Sequence, residues 1–225
     1  MNGIHLRSLS EAHSLPVDSE YFDRIDTEEK AYWLGFIYAD GYITKNIFGI
    51  KLQESDSEHL EKLKECLRSA HHIGHYVGKT GFSNTEFGTA YCSLTIENKN
   101  LVWGLVNQGM QYNKSSTILF PTAKIVPDSL LHHFIRGYFD GDGSVYGSDR
   151  FPAASFDGNQ MFLSALLEVI RNATGTKANI HPDRSIFCIK LGGRNIIKKL
   201  YDYMYSNATV FLGRKKQRFE KILNL

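Results

Sequence analysis

Phe134-Ile135-Arg136-Gly137-Tyr138-Phe139-Asp140-Gly141-Asp142-Gly143-Ser144 is an apolar, aromatic run that stops abruptly in two acids and two glycines. Carboxylates rarely close an apolar run without a partner or a metal. An earlier stretch, Trp33-Leu34-Gly35-Phe36-Ile37-Tyr38-Ala39-Asp40-Gly41, repeats the pattern. Laid over Ile135 to Gly143, it matches Gly35 with Gly137, Ala39 with Gly141, Asp40 with Asp142 and Gly41 with Gly143, each 102 residues apart. Residues four apart share a helix face, so Gly35/Ala39 form one small-residue strip and Gly137/Gly141 another. Glycine inside a helix costs about 1 kcal/mol relative to alanine, and close approach of two helix backbones is what such strips permit. Facing strips would bring Asp40 and Asp142 out side by side at two helix C-termini, where partial negative charge favours a cation. Either copy alone reads as a helix end with a glycine cap. The two together read as a divalent metal site.

Working outward, the order of elements after each copy is the same. Asp26-Thr27-Glu28-Glu29 has a capping-box pattern, the acceptor Asp26 followed three residues later by Glu29, and is expected to start the first motif helix. Tyr42 to Gln53 predicts a hairpin split at Lys45-Asn46, residues 57–70 an amphipathic helix, 72–80 and 90–97 two strands, and 99–108 a short helix. The stretch 109–128, with Pro121 and Pro127, reads as the connection between halves. The second half predicts a helix over 128–141, a hairpin over 143–156, a helix over 159–173, strands within 177–191 and a helix over 193–204. Asp56 and Asp157 are 101 apart, as are Gly74 and Gly175. The chain is an internal duplication with two copies. Three units follow: an N-terminal extension over 1–26, a first half-domain over 27–120 and a second over 121–225.

The 225 residues are 42% hydrophobic, enough for a full core, and no apolar run approaches a membrane span. Three cysteines without close pairing exclude a disulfide framework or zinc ribbon. These features predict a soluble, intracellular protein. The net charge of +2 hides an asymmetry: residues 177–225 carry eleven basic and three acidic side chains, whereas residues 1–30 carry three basic and seven acidic. A basic C-terminal segment fits a polyanionic partner. His71-His72-Ile73-Gly74-His75 lacks the partner spacing of zinc sites.

The doubled motif, WLGFIYADG and IRGYFDGDG, resembles that of the LAGLIDADG homing endonucleases, single-chain type, over roughly residues 28 to 222. Tyr38 departs from the family pattern at a position that is not the metal ligand. The resemblance implies an α+β fold of two pseudo-symmetric αββαββα halves, each with a saddle-shaped antiparallel sheet, packed through the two motif helices. It implies a monomer that hydrolyses both strands of a long double-stranded DNA site with Mg²⁺. Mn²⁺ is expected to substitute, and Ca²⁺ to support binding rather than cutting. An RNA maturase or a silent DNA-binding regulator on the same fold are the alternatives.

The resemblance also implies roles for single residues. Asp40 and Asp142 would be the catalytic metal ligands, helped by Gly41 and Gly141. Lys114, 74 residues after Asp40, and Lys215, 73 after Asp142, would be the basic residues beside the scissile phosphates, with Lys216 as the alternative to Lys215. Gln53 would help position water, where the second half has Ala154-Ser155. Asp140 and Asp56 are nearby acids, open between structural support and a part in the site. The strand faces expected against DNA carry Thr44, Asn46, Lys51, Gln53, His75, Lys79, Ser93 and Thr95, then Tyr146, Ser148 and Lys190.

Overall fold

The computed structural model describes residues 15–78, 88–112 and 117–225. The first half runs α1 (Glu28–Asp40), β1 (Gly41–Ile43), β2 (Ile47–Gln53), α2 (Ser57–Cys66), β3 (Ile73–Gly78), β4 (Thr89–Glu97) and α3 (Lys99–Asn107). The second half runs α4 (Leu131–Asp142), β5 (Ser144–Gly147), β6 (Pro152–Gly158), α5 (Gln160–Thr174), β7 (Ile180–Asp183), β8 (Ile186–Gly192) and α6 (Arg194–Tyr205). A further helix, α7 (Gly213–Leu223), then returns to the end of α4. No expectation from sequence covered α7, because its basic, strongly charged run masks a thin apolar stripe of Phe219, Ile222 and Leu223. The fold is α+β, with two four-stranded antiparallel sheets of equivalent order, β1-β2-β4-β3 and β5-β6-β8-β7.

Each sheet buries one face. In the first, Phe48, Ile50 and Leu52 of β2 lie opposite Ile96, Leu94 and Cys92 of β4, and all six are buried. Leu60 and Leu63 of α2 and Leu101 and Leu105 of α3 join the same core. In the second, Ala154 and Phe156 of β6 lie opposite Leu191 and Ile189 of β8, against Phe162, Leu163, Leu166 and Ile170 of α5. The alternate residues form an open face on each sheet.

The helix α1 starts one residue later than its sequence predicts. Thr27, in extended conformation, caps it by accepting the Lys30 amide at 3.3 Å, while the Asp26 carboxylate pairs with the Lys30 ammonium at 3.0 Å. That ion pair holds the Asp26 carboxyl below its ordinary range and removes it from the cap.

Every residue from Ala31 to Ala39 is buried, as are His133 to Asp140 on α4. A helix buried all round must meet other elements on every side, and α1 and α4 meet each other. A Cβ on Gly35 would lie 2.0 Å from the Phe134 carbonyl oxygen, and one on Gly137 would lie 1.9 Å from that of Tyr32. The two contacts exchange under the 102-residue offset, which is the signature of a pseudo-two-fold axis between the helices. At the C-terminal end a Cβ on Gly141 would meet the Ala39 methyl at 2.3 Å. Backbone cannot yield as a side-chain tip can, so alanine at either glycine must force the helices apart. Gly35→Ala and Gly137→Ala should each lower unfolding free energy by about 3 kcal/mol, the upper end of overpacking effects. Gly192→Ala, with nothing within 4 Å of the added methyl, should stay within about 0.5 kcal/mol. Urea midpoints of the three variants check the contrast, and equal midpoints would remove the close helix pair.

Candidate active site

The packing of α1 against α4 carries their C-termini to one place. The Asp40 Oδ2 atom would stand 3.1 Å from a Cβ on Gly141, so its carboxylate lies against the residue preceding Asp142. Asp40 is half-buried and Asp142 exposed. The negative charges of both act to raise the pKa of two buried groups, the Tyr138 phenol and the Lys215 ammonium. The two carboxylates thus share one small region at the junction of the halves.

Lys215, the first-turn residue of α7 that points inward, is 6% exposed. Its Nζ donates to the carbonyls of Phe139 at 2.8 Å, Gly141 at 2.8 Å and Gly143 at 2.6 Å. These carbonyls close α4, and a cation there offsets the negative helix end. Burial pushes the Lys215 pKa down to about 8, assisted by Arg214, while Asp140, Asp40 and Asp142 pull it back up. Lys216 instead points outward and pairs with Glu220. Of the two adjacent lysines, only Lys215 therefore reaches the end of the motif helix. It thereby engages Gly141, one of the two glycines that the resemblance implies beside the metal. Lys114 and Lys79 lie outside the described residues.

A cleft of about 520 Å³ opens beside Asp142, lined by Ser144, Arg214, Lys215 and Arg218 among others. Two guanidiniums one helical turn apart beside the exposed Asp142 carboxylate suit a phosphate held with a cation. Arg214 reaches across to the first half, where its Nε lies 3.0 and 2.9 Å from the two carboxylate oxygens of Asp56. Asp56 also accepts from Gln53 Nε2 at 3.1 Å. Asp56 thus ties Gln53 to an arginine of the other half. Sequence reasoning passed over Arg214 and Arg218, although they stand in the segment whose basic excess it noted.

Asp140 is fully buried and serves the packing. Its carboxylate accepts from the Tyr32 hydroxyl at 2.9 Å, the Tyr205 hydroxyl at 2.6 Å and the Leu212 amide at 2.7 Å. Tyr32 in turn lies 2.8 Å from His59 Nε2. Since the tyrosine proton goes to Asp140, the imidazole donates here through Nε2–H, and burial lowers the pKa of the ring. A second buried network joins the halves through Arg136, which donates to Glu28 at 2.7 Å, to the Val210 carbonyl at 2.9 Å and to the Met204 carbonyl at 2.8 Å. It was invisible in the sequence because Arg136 stands inside an apolar motif 108 residues from Glu28.

The donor set can be compared with a cation's needs. Among the described residues no group of three His, Cys, Asp or Glu side chains could hold a metal ion. Asp40 and Asp142 offer two hard carboxylates, which fits Mg²⁺, an ion that takes one or two carboxylates and completes its shell with water and phosphate.

The strand faces sort the remaining residues. Lys51 and Gln53 on β2 and Ser93 and Thr95 on β4 share the open face of the first sheet. Thr44 is exposed in the β1–β2 turn, and Asn46 in that turn accepts the Asn98 amide through its carbonyl. His75 is a correction: it stands opposite Cys92, on the helix-covered side, where its Nδ1 lies 2.7 Å from Glu54. The extended alternation places Gly74 and Tyr76 on the open face instead. In the second half Tyr146 lies opposite Ala153 and Lys190 opposite Ser155 on the open face, and Ser148 sits in the β5–β6 turn.

No protein-family model and no curated protein matches the sequence. The fold does find counterparts among solved structures. The LAGLIDADG meganuclease I-AabMI bound to uncleaved DNA superposes with a TM-score of 0.54 at 11% identity, over 86% of this chain and 89% of that one. The homing endonuclease I-WcaI bound to its DNA recognition sequence gives 0.59 at 14% identity, over 89% and 90%. Full-length DUF199/WhiA from Thermatoga maritima gives 0.55 at 16% identity, over 92% of this chain and 66% of that chain. The chain therefore has the LAGLIDADG homing endonuclease fold.

Two measurements test the buried groups. Lys215→Met would strand three helix-end carbonyls and should cost about 3 kcal/mol, whereas Lys216→Met, losing a partly exposed pair, should cost under about 1 kcal/mol. Equal losses of Tm would contradict the assignment of Lys215. The second concerns His59, 3% exposed, whose pKa burial lowers to about 3 from an ordinary value near 6.5. Above pH 6.5 the ring is neutral in both states and nothing is lost. Below it the unfolded chain takes up a proton that the folded chain refuses, so stability falls by about 1.4 kcal/mol per pH unit until the folded ring titrates. In urea titrations between pH 6 and 4.5, His59→Gln should show a slope shallower by that amount. An unchanged slope would mean the imidazole is not buried neutral.

Proposed function

We propose that this protein is a double-stranded DNA endonuclease that cuts both strands near the junction of its halves with a divalent cation. The observation that carries this reading is the Asp40 carboxylate lying against the Gly141–Asp142 end of α4, beside the buried Lys215 ammonium. Two open sheet faces flank that point, and the likeness in fold to I-AabMI and I-WcaI, both solved with DNA, supports the same reading.

In this mechanism Asp40 and Asp142 would hold Mg²⁺, with Mn²⁺ as a substitute. The bound ion would supply Lewis acidity at the phosphate and a water of lowered pKa. Lys215 keeps positive charge at the end of α4 and fixes the direction in which Asp142 leaves the helix. Arg214 and Arg218 line the adjacent cleft and offer donors to phosphate oxygens as negative charge builds there. Gln53, tethered through Asp56, is the polar side chain at the first-half site, while the second half offers Ser155. The open faces would hold the duplex, with Lys51 and Lys190 contributing to a salt-dependent affinity.

The test separates cutting from binding. Asp40→Asn and Asp142→Asn remove a charge with little volume, so the fold and DNA affinity should survive while double-strand cleavage of a target plasmid falls at least about 100-fold. Mg²⁺ should be required for cutting, and Ca²⁺, looser in geometry, should support binding in its place. Full cleavage by Asp142→Asn would overturn the mechanism. Binding without cleavage by the parent protein in any of the metals would support a DNA-binding regulator instead.

A further inference from the structure

The open face of the β1–β4 sheet carries three tyrosines, Tyr42, Tyr76 and Tyr91, where that of the β5–β8 sheet carries one, Tyr146. Tyr42 stands directly opposite Gly49, and Tyr76 opposite Tyr91. A Cβ on Gly49 would lie 2.2 Å from Cζ and 2.4 Å from Oη of Tyr42, and one on Gly74 would lie 2.4 Å from Oη of Tyr76. Each ring therefore lies down across the sheet with its hydroxyl over a glycine. The ring face, rather than the hydroxyl, is what a ligand on this surface meets. Tyr76 stacks on Tyr91 with centroids 5.2 Å apart, and the Lys51 ammonium sits 4.1 Å from the Tyr91 centroid. Tyr42 and Tyr76 are 46% and 50% exposed, so this aromatic layer is surface and not core.

The second sheet differs in kind. Apart from Tyr146, its open face carries the cross-strand row Ser144–Ser155–Lys190, and beside it Asp157 opposite Cys188. Asp183, which faces the same way, lies 3.7 Å from Lys190. Carboxylates only accept hydrogen bonds and repel the acceptor edge of guanine, whereas cytosine and adenine present amino groups in the major groove. Thymine alone presents a methyl group there, which proteins read by apolar contact. We propose that the two sheets read chemically different half-sites, the tyrosine face taking thymine methyl groups and the Asp157–Asp183 face taking the amino groups of cytosine or adenine. This rests on the double-stranded DNA reading above and adds the base chemistry of the target.

The experiment is selection of duplexes by the full chain, in Ca²⁺, from a pool randomised over about two helical turns. The bound consensus should have thymines in one half and cytosine or adenine in the other. Replacing those thymines by deoxyuridine removes only the methyl, and should weaken binding about fourfold per thymine. Tyr76→Ala and Tyr42→Ala should abolish that methyl dependence with Tm unchanged, and Tyr76→Phe, which keeps the ring face, should retain it. A consensus without thymine bias, no response to deoxyuridine, or a phenylalanine variant as impaired as the alanine one would overturn the inference while leaving DNA binding standing. If nothing is enriched, or if single-stranded DNA or RNA outcompetes the duplex, the DNA reading falls and this inference falls with it.

Discussion

Contact between two helix backbones is the constraint on which the rest of the molecule depends. With Gly35 against the Phe134 carbonyl and Gly137 against that of Tyr32, no side chain separates α1 from α4 at their crossing. The helices then run on side by side to Asp40 and Asp142, and the strands that follow leave on opposite sides as the first strands of two sheets. The chemistry and the binding faces are placed by the same contact. A wider crossing would separate the carboxylates and change the spacing of the sheets together.

Bringing two helix C-termini and two carboxylates together concentrates negative charge, and the chain meets it unevenly. Lys215 fills the end of α4 with three charge-assisted bonds, and Arg214 extends from the same turn to Asp56 in the other half. One short basic turn at the start of α7 thus serves both halves. At the position preceding Ala39 the first half has Tyr38, whose hydroxyl donates to the Gln108 carbonyl, and the second half has Asp140 with three donors of its own. The halves share an architecture while solving the same packing position with opposite hydrogen-bonding roles.

Much of the fold could be read from sequence, because a 102-residue offset shows directly in glycine and aspartate positions and the strands alternate cleanly. Lys51, Gln53, Ser93 and Thr95 share the open face, as the two-residue period of a strand requires. His75 failed because β3 is an edge strand whose residues are exposed on both sides, so polarity gave no signal of facing. The capping residue failed by one place because Asp26 and Thr27 are both good caps, and only the nearby Lys30 decides between them. The polar links Glu28–Arg136 and Asp56–Arg214 between the halves were beyond sequence, since they join residues 108 and 158 apart that share no period. Tyr42 and Tyr76 were passed over because an aromatic on a strand reads as core until the glycine beneath it is seen.

Arg136 and Glu28 also bear on how such a chain can change over time. Under the 102-residue offset Arg136 corresponds to Leu34, Glu28 to Leu130, and Tyr32 to Phe134. Two copies of the second half, paired as the halves are here, would bury two guanidiniums with no carboxylate opposite, and Asp140 would lose its tyrosine donor from across the axis. Two copies of the first half would leave Glu28 facing leucine. A buried charge stripped of its partner is strongly destabilising, so neither half retains a surface fit to pair with itself. The duplication has become a ratchet: each half is now addressed to the other, and descent from this chain can diverge further far more easily than it can return to a symmetric dimer.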